Sequence, residues 1–108
     1  MKEKMQMAAF QIIASVGAAK SLYVEAMYAS RVGNFEESEK KIKEGDKIYA
    51  EAHGHHFELV QEEAKGTDLP FSLMLMHAED QLLNTETIKI MAIEIVELRR
   101  SINKEKNE

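Results

Sequence analysis

The sequence predicts an all-α protein, an antiparallel bundle of three long helices, and three observations carry that expectation. Proline occurs once and glycine five times in 108 residues, so few positions can break a helix. The rest of the composition is rich in Ala, Glu, Lys, Met and Ile, most of which favour helix. The strongest breakers gather at two places, Gly33-Asn34 and Gly66-Thr67-Asp68-Leu69-Pro70. Glycine there closes one helix in a left-handed turn, and proline suits the start of the next. Two such points divide the chain into three segments, read as one domain over residues 1–108.

The first helix, over residues 3–31, places Met5, Ala9, Ile12, Ile13, Val16, Leu22 and Met27 at mostly three- and four-residue spacings, the mark of one apolar face. Gly17 interrupts it without ending it. The second, over residues 35–65, alternates a charged cluster (Glu36, Glu37, Glu39, Lys40, Lys41) with Ile42, Ile48, Ala52, Leu59 and Val60, and reads as half solvated. Gly45 and Gly54 each weaken it by about 1 kcal/mol relative to alanine, so packing must hold it.

The third helix, over residues 69–103, carries Ile88, Ile90, Met91, Ala92, Ile93, Ile95, Val96 and Leu98, which wrap most of the way round a helical wheel. A helix apolar on nearly all sides must be covered on all sides. Two companions in a small bundle cover only part of it. The excess therefore predicts self-association, most economically through a ring of third helices about a shared axis, with a thick-cored monomer as the alternative.

Charge narrows the function classes. With 14 basic and 19 acidic residues the net charge is -5, which argues against a nucleic-acid backbone as partner. Without cysteine, disulfides, thiolate metal sites and thiol nucleophiles are excluded. Gln11, Ser15 and Lys20 interrupt the apolar N-terminal stretch, and no run approaches the about 18 consecutive apolar residues that a membrane span requires. The expectation is a soluble cytoplasmic protein.

The chemistry concentrates in Leu75-Met76-His77-Ala78-Glu79-Asp80-Gln81-Leu82-Leu83, a polar group set between apolar residues in one predicted helix. His77 and Asp80, three apart, share a face, while Glu79 points elsewhere. Neutral imidazole is nucleophilic near neutral pH, and its phosphoramidate stays reactive enough to pass the group on. A nearby carboxylate can fix the ring tautomer. On spacing alone, a core histidine satisfied by a neighbouring carboxylate describes the pattern as well. If this face looks into an oligomer seam, copies of Asp80 meet, repel, and call for protonation or a bridging oxygen-liking cation such as Mg²⁺.

The chain resembles the lactose/cellobiose-type enzyme IIA proteins of the bacterial phosphoenolpyruvate-dependent sugar phosphotransferase system along nearly its whole length. Ile12-Ile13-Ala14-Ser15-Val16-Gly17-Ala18-Ala19-Lys20-Ser21 is similar to the family's first-helix Gly-Asp-Ala-Arg-Ser region, followed by Glu25-Ala26 and Gly33-Asn34-Phe35. Glu51-Ala52-His53 and Glu63-Ala64-Lys65-Gly66 resemble its second-helix stretches. His77-Ala78-Glu79-Asp80-Gln81-Leu82-Leu83 resembles its His-Ala-Gln-Asp-His-Leu-Met signature, the most specific element.

That resemblance implies phosphorylation on His77 and a metal held by Asp80 on the axis of a homotrimer, a nine-helix bundle. It implies phospho-HPr as donor, a IIB component as acceptor, and contact with the membrane only through the IIC permease. The sugar would be cellobiose, lactose or a related disaccharide. Gln81 and His53 are implied supporting residues, His53 lining the cleft from a neighbouring subunit. The chain departs from the pattern at Glu79 and Gln81, where glutamine and histidine are common, at Ala18 in place of aspartate, and at Phe57 in place of threonine.

Two other readings stand beside it. One is a non-catalytic helical oligomerisation or adaptor module. The other is a His-rich metal-binding bundle, since His53 and His56 share a face of the second helix and His55 lies between them. Tyr23, Tyr28 and Tyr49 read as packing groups with solvated hydroxyls. Met74 and Met76 read as core, with a docking patch as the alternative. Arg99, Arg100, Lys104 and Lys106 read as partners of a helix C-terminal dipole.

Overall fold

The computed structural model describes residues 2–107. Three helices account for most of them: α1 Lys2–Arg31, α2 Phe35–Ala64 and α3 Leu73–Lys106. No strand occurs among the described residues. The three lie side by side in a rod of 60 × 19 × 19 Å, one helix length long.

Both connections use the expected chemistry. Gly33, at φ 79°, closes α1, and Asn34 opens α2 by accepting a hydrogen bond from the Glu37 amide at 3.2 Å. Gly66, at φ 96°, follows α2, its amide bonded to the Glu63 carbonyl at 3.0 Å. The third helix begins later than the sequence suggests, at Leu73 rather than Leu69. Pro70 disfavours helical backbone at the residue before it, and the extended Ser72 provides the cap, its hydroxyl accepting from the Leu75 amide at 3.2 Å. The helix also runs past Asn103 to Lys106.

The first helix is the spine. Met5, Ala8, Ala9, Ile12, Val16, Ala19, Tyr23, Ala26 and Ser30 form a continuous buried face along it. Its alanines let the other helices approach closely. Ala9, Ile12 and Val16 meet Ala52 of α2 and Ala78 and Leu82 of α3, while Met5 and Ala8 meet Leu59. By length and mean hydropathy α1 is long and apolar enough to cross a membrane, although Gln11, Ser15 and Lys20 interrupt its apolar run. The face just described is instead buried by its companion helices.

The second and third helices pack mainly on α1 and meet each other only thinly. Side-chain bridges span that seam: Arg100 to Glu39 at 2.6 Å, Lys89 to Asp46 at 3.2 Å, and His56 to Glu79 at 3.1 Å. The arginines therefore do more than meet a helix dipole at their own terminus. Arg99 donates to the Met27 carbonyl at 2.8 Å and the Ser30 hydroxyl at 3.0 Å, binding the end of α1 across the bundle.

Tyr23 also departs from its reading as a packing group with a solvated hydroxyl. It is fully buried and donates to the Asp46 carboxylate at 2.7 Å. Burial, then the Asp46 hydrogen bond and charge, push the phenol far above its ordinary value. Gly45 makes room for it, since a Cβ there would lie 2.8 Å from Tyr23 Cε1.

Candidate functional site at the start of the third helix

The turn carrying His77 is fixed by its apolar neighbours. Ala78 and Leu82 are buried against Ile12 and Val16 of α1, which turns His77, Glu79 and Asp80 outward to solvent. Gln81 is half-buried. Among the described residues no hydrogen bond or ion pair joins His77 to a carboxylate, to His53 or to Gln81. The description as a core histidine satisfied by a carboxylate is thus replaced by an exposed, unengaged imidazole.

At 3.6 residues per turn, His77 lies about 60° to one side of Asp80 and Glu79 about 100° to the other. The face centred on Asp80 also carries Leu73, Met76, Leu83, Met91, Leu98 and Ile102, all exposed. Apolar surface thus recurs along the length of α3 on a face that no other described residue covers, as the surplus of apolar residues predicted. Met76 belongs to that face. Met74 borders a second exposed patch with Met7 and Phe10 of α1, so neither methionine is core.

The histidines of α2 do not assemble with His77 within one chain. His53 is exposed, its ring centroid 6.5 Å from that of Tyr49. His56 reaches across the seam to Glu79. This pairing was missed in the sequence, where His56 stood out only as a possible metal ligand. The available signal was a histidine on α2 and an out-of-pattern carboxylate on α3, but register between antiparallel helices is needed to bring them together. Beside them, Tyr49 donates to the Leu82 carbonyl at 3.5 Å; burial, then the Glu86 charge, raise its pKa.

Among the described residues no three His, Asp or Glu side chains gather to hold a metal ion within one chain. Asp80 offers a single exposed carboxylate, and it fits an oxygen-liking cation only if other copies of the chain supply the remaining ligands.

Comparison with known proteins agrees with this architecture. The family described as "PTS system, Lactose/Cellobiose specific IIA subunit" matches residues 7–100. The lichenan-specific phosphotransferase enzyme IIA component of Bacillus subtilis is 38% identical over 106 residues, covering 98% of this chain and 96% of its own. A lactose-specific EIIA component of Staphylococcus aureus is 34% identical over 96 residues, covering 89% of this chain and 93% of its own. The crystal structure of the cellobiose-specific enzyme IIA of Bacillus anthracis superposes with a TM-score of 0.90 at 31% identity, over 93% of this chain and 92% of that one. With the same three helices and likeness along nearly its whole length, the chain belongs to the lactose/cellobiose-specific IIA family of the sugar phosphotransferase system.

Proposed function

We propose that this chain is a cytoplasmic phosphocarrier that accepts a phosphoryl group from phospho-HPr on His77 and passes it to a IIB component. The observation that carries the reading is the exposed, unengaged His77 imidazole in a family member, beside apolar surface suited to docking. In the first transfer a ring nitrogen of His77 attacks phosphorus in line, its N–P bond forming as the donor's breaks and the bonding pair returning to the donor imidazole. In the second, a IIB cysteine thiolate takes the group and the pair returns to His77. The protein contributes position and electrostatics, and the sugar never touches it. Uptake of cellobiose, lactose or a related disaccharide occurs at the membrane IIC partner.

The carrier works as a homotrimer, with α3 helices round the axis. A 12.3 kDa monomer ordinarily exposes about 6,100 Å². This chain exposes 7182 Å², and the surplus of roughly 1,000 Å² is of the order that one partner buries at a specific interface. Asp80 lies on the midline of the exposed apolar face, near its N-terminal end, so three copies bring three carboxylates together, and Mg²⁺ bound by them relieves their repulsion. Gln81 and His53 serve as supporting residues near the transfer, His53 from an adjoining copy.

Incubation with phosphoenolpyruvate, enzyme I and HPr is expected to add one acid-labile phosphate per chain. Label persisting in His77→Gln would overturn the assignment. An unlabelled chain that still trimerises would favour the adaptor reading. Zinc uptake dependent on His53 and His56 would favour the metal-binding bundle.

A further inference from the structure

Glu79 places a carboxylate, and with it a negative charge, two residues from the proposed phosphoryl carrier. Its consequence depends on where it is held. His77 and Glu79 flank the exposed apolar face of α3 on opposite sides, about 60° and 100° from Asp80. When helices close a ring about such a face, the contacts are heterologous, and one flank of each copy meets the opposite flank of the next. The Glu79 flank of one copy thus borders the His77 flank of its neighbour. A free carboxylate at this place would oppose the arrival of a dianionic phosphoryl group.

The structure shows the carboxylate restrained. Glu79 Oε1 lies 3.1 Å from His56 Nε2 on α2, and the His56 side chain is only a quarter exposed. No other side chain of α2 engages Glu79 among the described residues. We propose that His56 is a positioning residue for phosphoryl transfer: by donating its Nε2–H it holds Glu79 against α2, out of the path to the adjoining copy's His77. The partner it serves is the phosphorylated donor protein, whose dianionic group must cross this flank. This inference rests on the phosphocarrier and trimer readings above.

The test measures KM and kcat for phospho-HPr with the intact trimer. Freeing Glu79 in His56→Ala is expected to raise KM about three- to tenfold with kcat unchanged, and the increase should shrink as salt screens the charge. Glu79→Gln alone should behave like the parent. Glu79→Gln in the His56→Ala background should return KM to within about twofold of the parent, because the offending charge is gone. A purely structural bridge predicts the opposite, since the double variant lacks it as well. His56→Leu, close in size but without a donor, serves in the same way if alanine unfolds the chain. A parental KM in the His56 variants, or no rescue in the double variant, would overturn the proposal. A parent that takes no label at His77 overturns the phosphocarrier reading instead.

Discussion

Glycine 45 and glycine 54 lie nine residues apart on the same helix, and their substitution is expected to have opposite signs. An alanine methyl at position 45 would lie 2.8 Å from the fully buried Tyr23 ring, and that ring has nowhere to retreat. Overpacking of about 1–3 kcal/mol then outweighs the helix-propensity gain of about 1 kcal/mol. At position 54 a methyl group meets nothing within 4 Å, so the propensity gain stands alone. Thermal unfolding should show Gly45→Ala less stable than the parent and Gly54→Ala more stable by up to about 1 kcal/mol. The two glycines look alike in the sequence, since only the identity of the residue across the seam separates them. His77 could be singled out there by its signature, but its exposure could not, because that depends on the anchoring of Ala78 and Leu82 against α1.

The helices themselves were legible because breakers mark their ends. Gly33 and Gly66 adopt the left-handed backbone that their positions suggested. The start of α3 was misplaced because proline at a helix N-terminus supports two placements, and the Ser72 cap decides between them. The Tyr23–Asp46 contact was hidden in the sequence, since its partners are 23 residues apart on different helices. It has a measurable consequence for the seam between α1 and α2. Tyr23 keeps its proton in the fold to a pH far above the 10.0 at which an unfolded tyrosine loses it. The resulting stabilisation is complete below that pH and falls as pH rises past it, because only the unfolded state releases the proton. Chemical denaturation between pH 8 and about 11 should show the parent losing stability above pH about 10. Tyr23→Phe, which has no phenol to ionise, should lose less over the same range.

The whole molecule is a spine with two partners that scarcely meet, and this arrangement decides what remains uncovered. Because α2 and α3 share α1 rather than each other, α3 keeps a lengthwise apolar face with Asp80 near one end. On the proposed trimer, an Asp80→Leu variant is expected to stay trimeric, or to resist dissociation more strongly than the parent, since an apolar residue would relieve the proposed like-charge cluster while removing the ligands of the proposed cation. Sedimentation equilibrium at micromolar concentration tests this. A monomeric variant would contradict the repulsion argument, and a monomeric parent would remove the trimer itself. The surplus of apolar residues on the third helix announced an uncovered face, whereas the number of copies that cover it is a property of symmetry and not of any one helix.

The parallel course of α1 and α3, each antiparallel to α2, also sorts the molecule's two extremities. Glu3, Gln6, Met7 and Phe10 of α1 border the same groove as Met74, one turn of helix from His77. Lys106 instead borders the opposite end, together with Ser30, Gly33 and Arg99, roughly 40 Å along the rod from the imidazole. A fluorophore or fusion domain attached ahead of Lys2 would therefore crowd the approach of a docking protein, whereas one attached beyond Lys106 would leave that approach open.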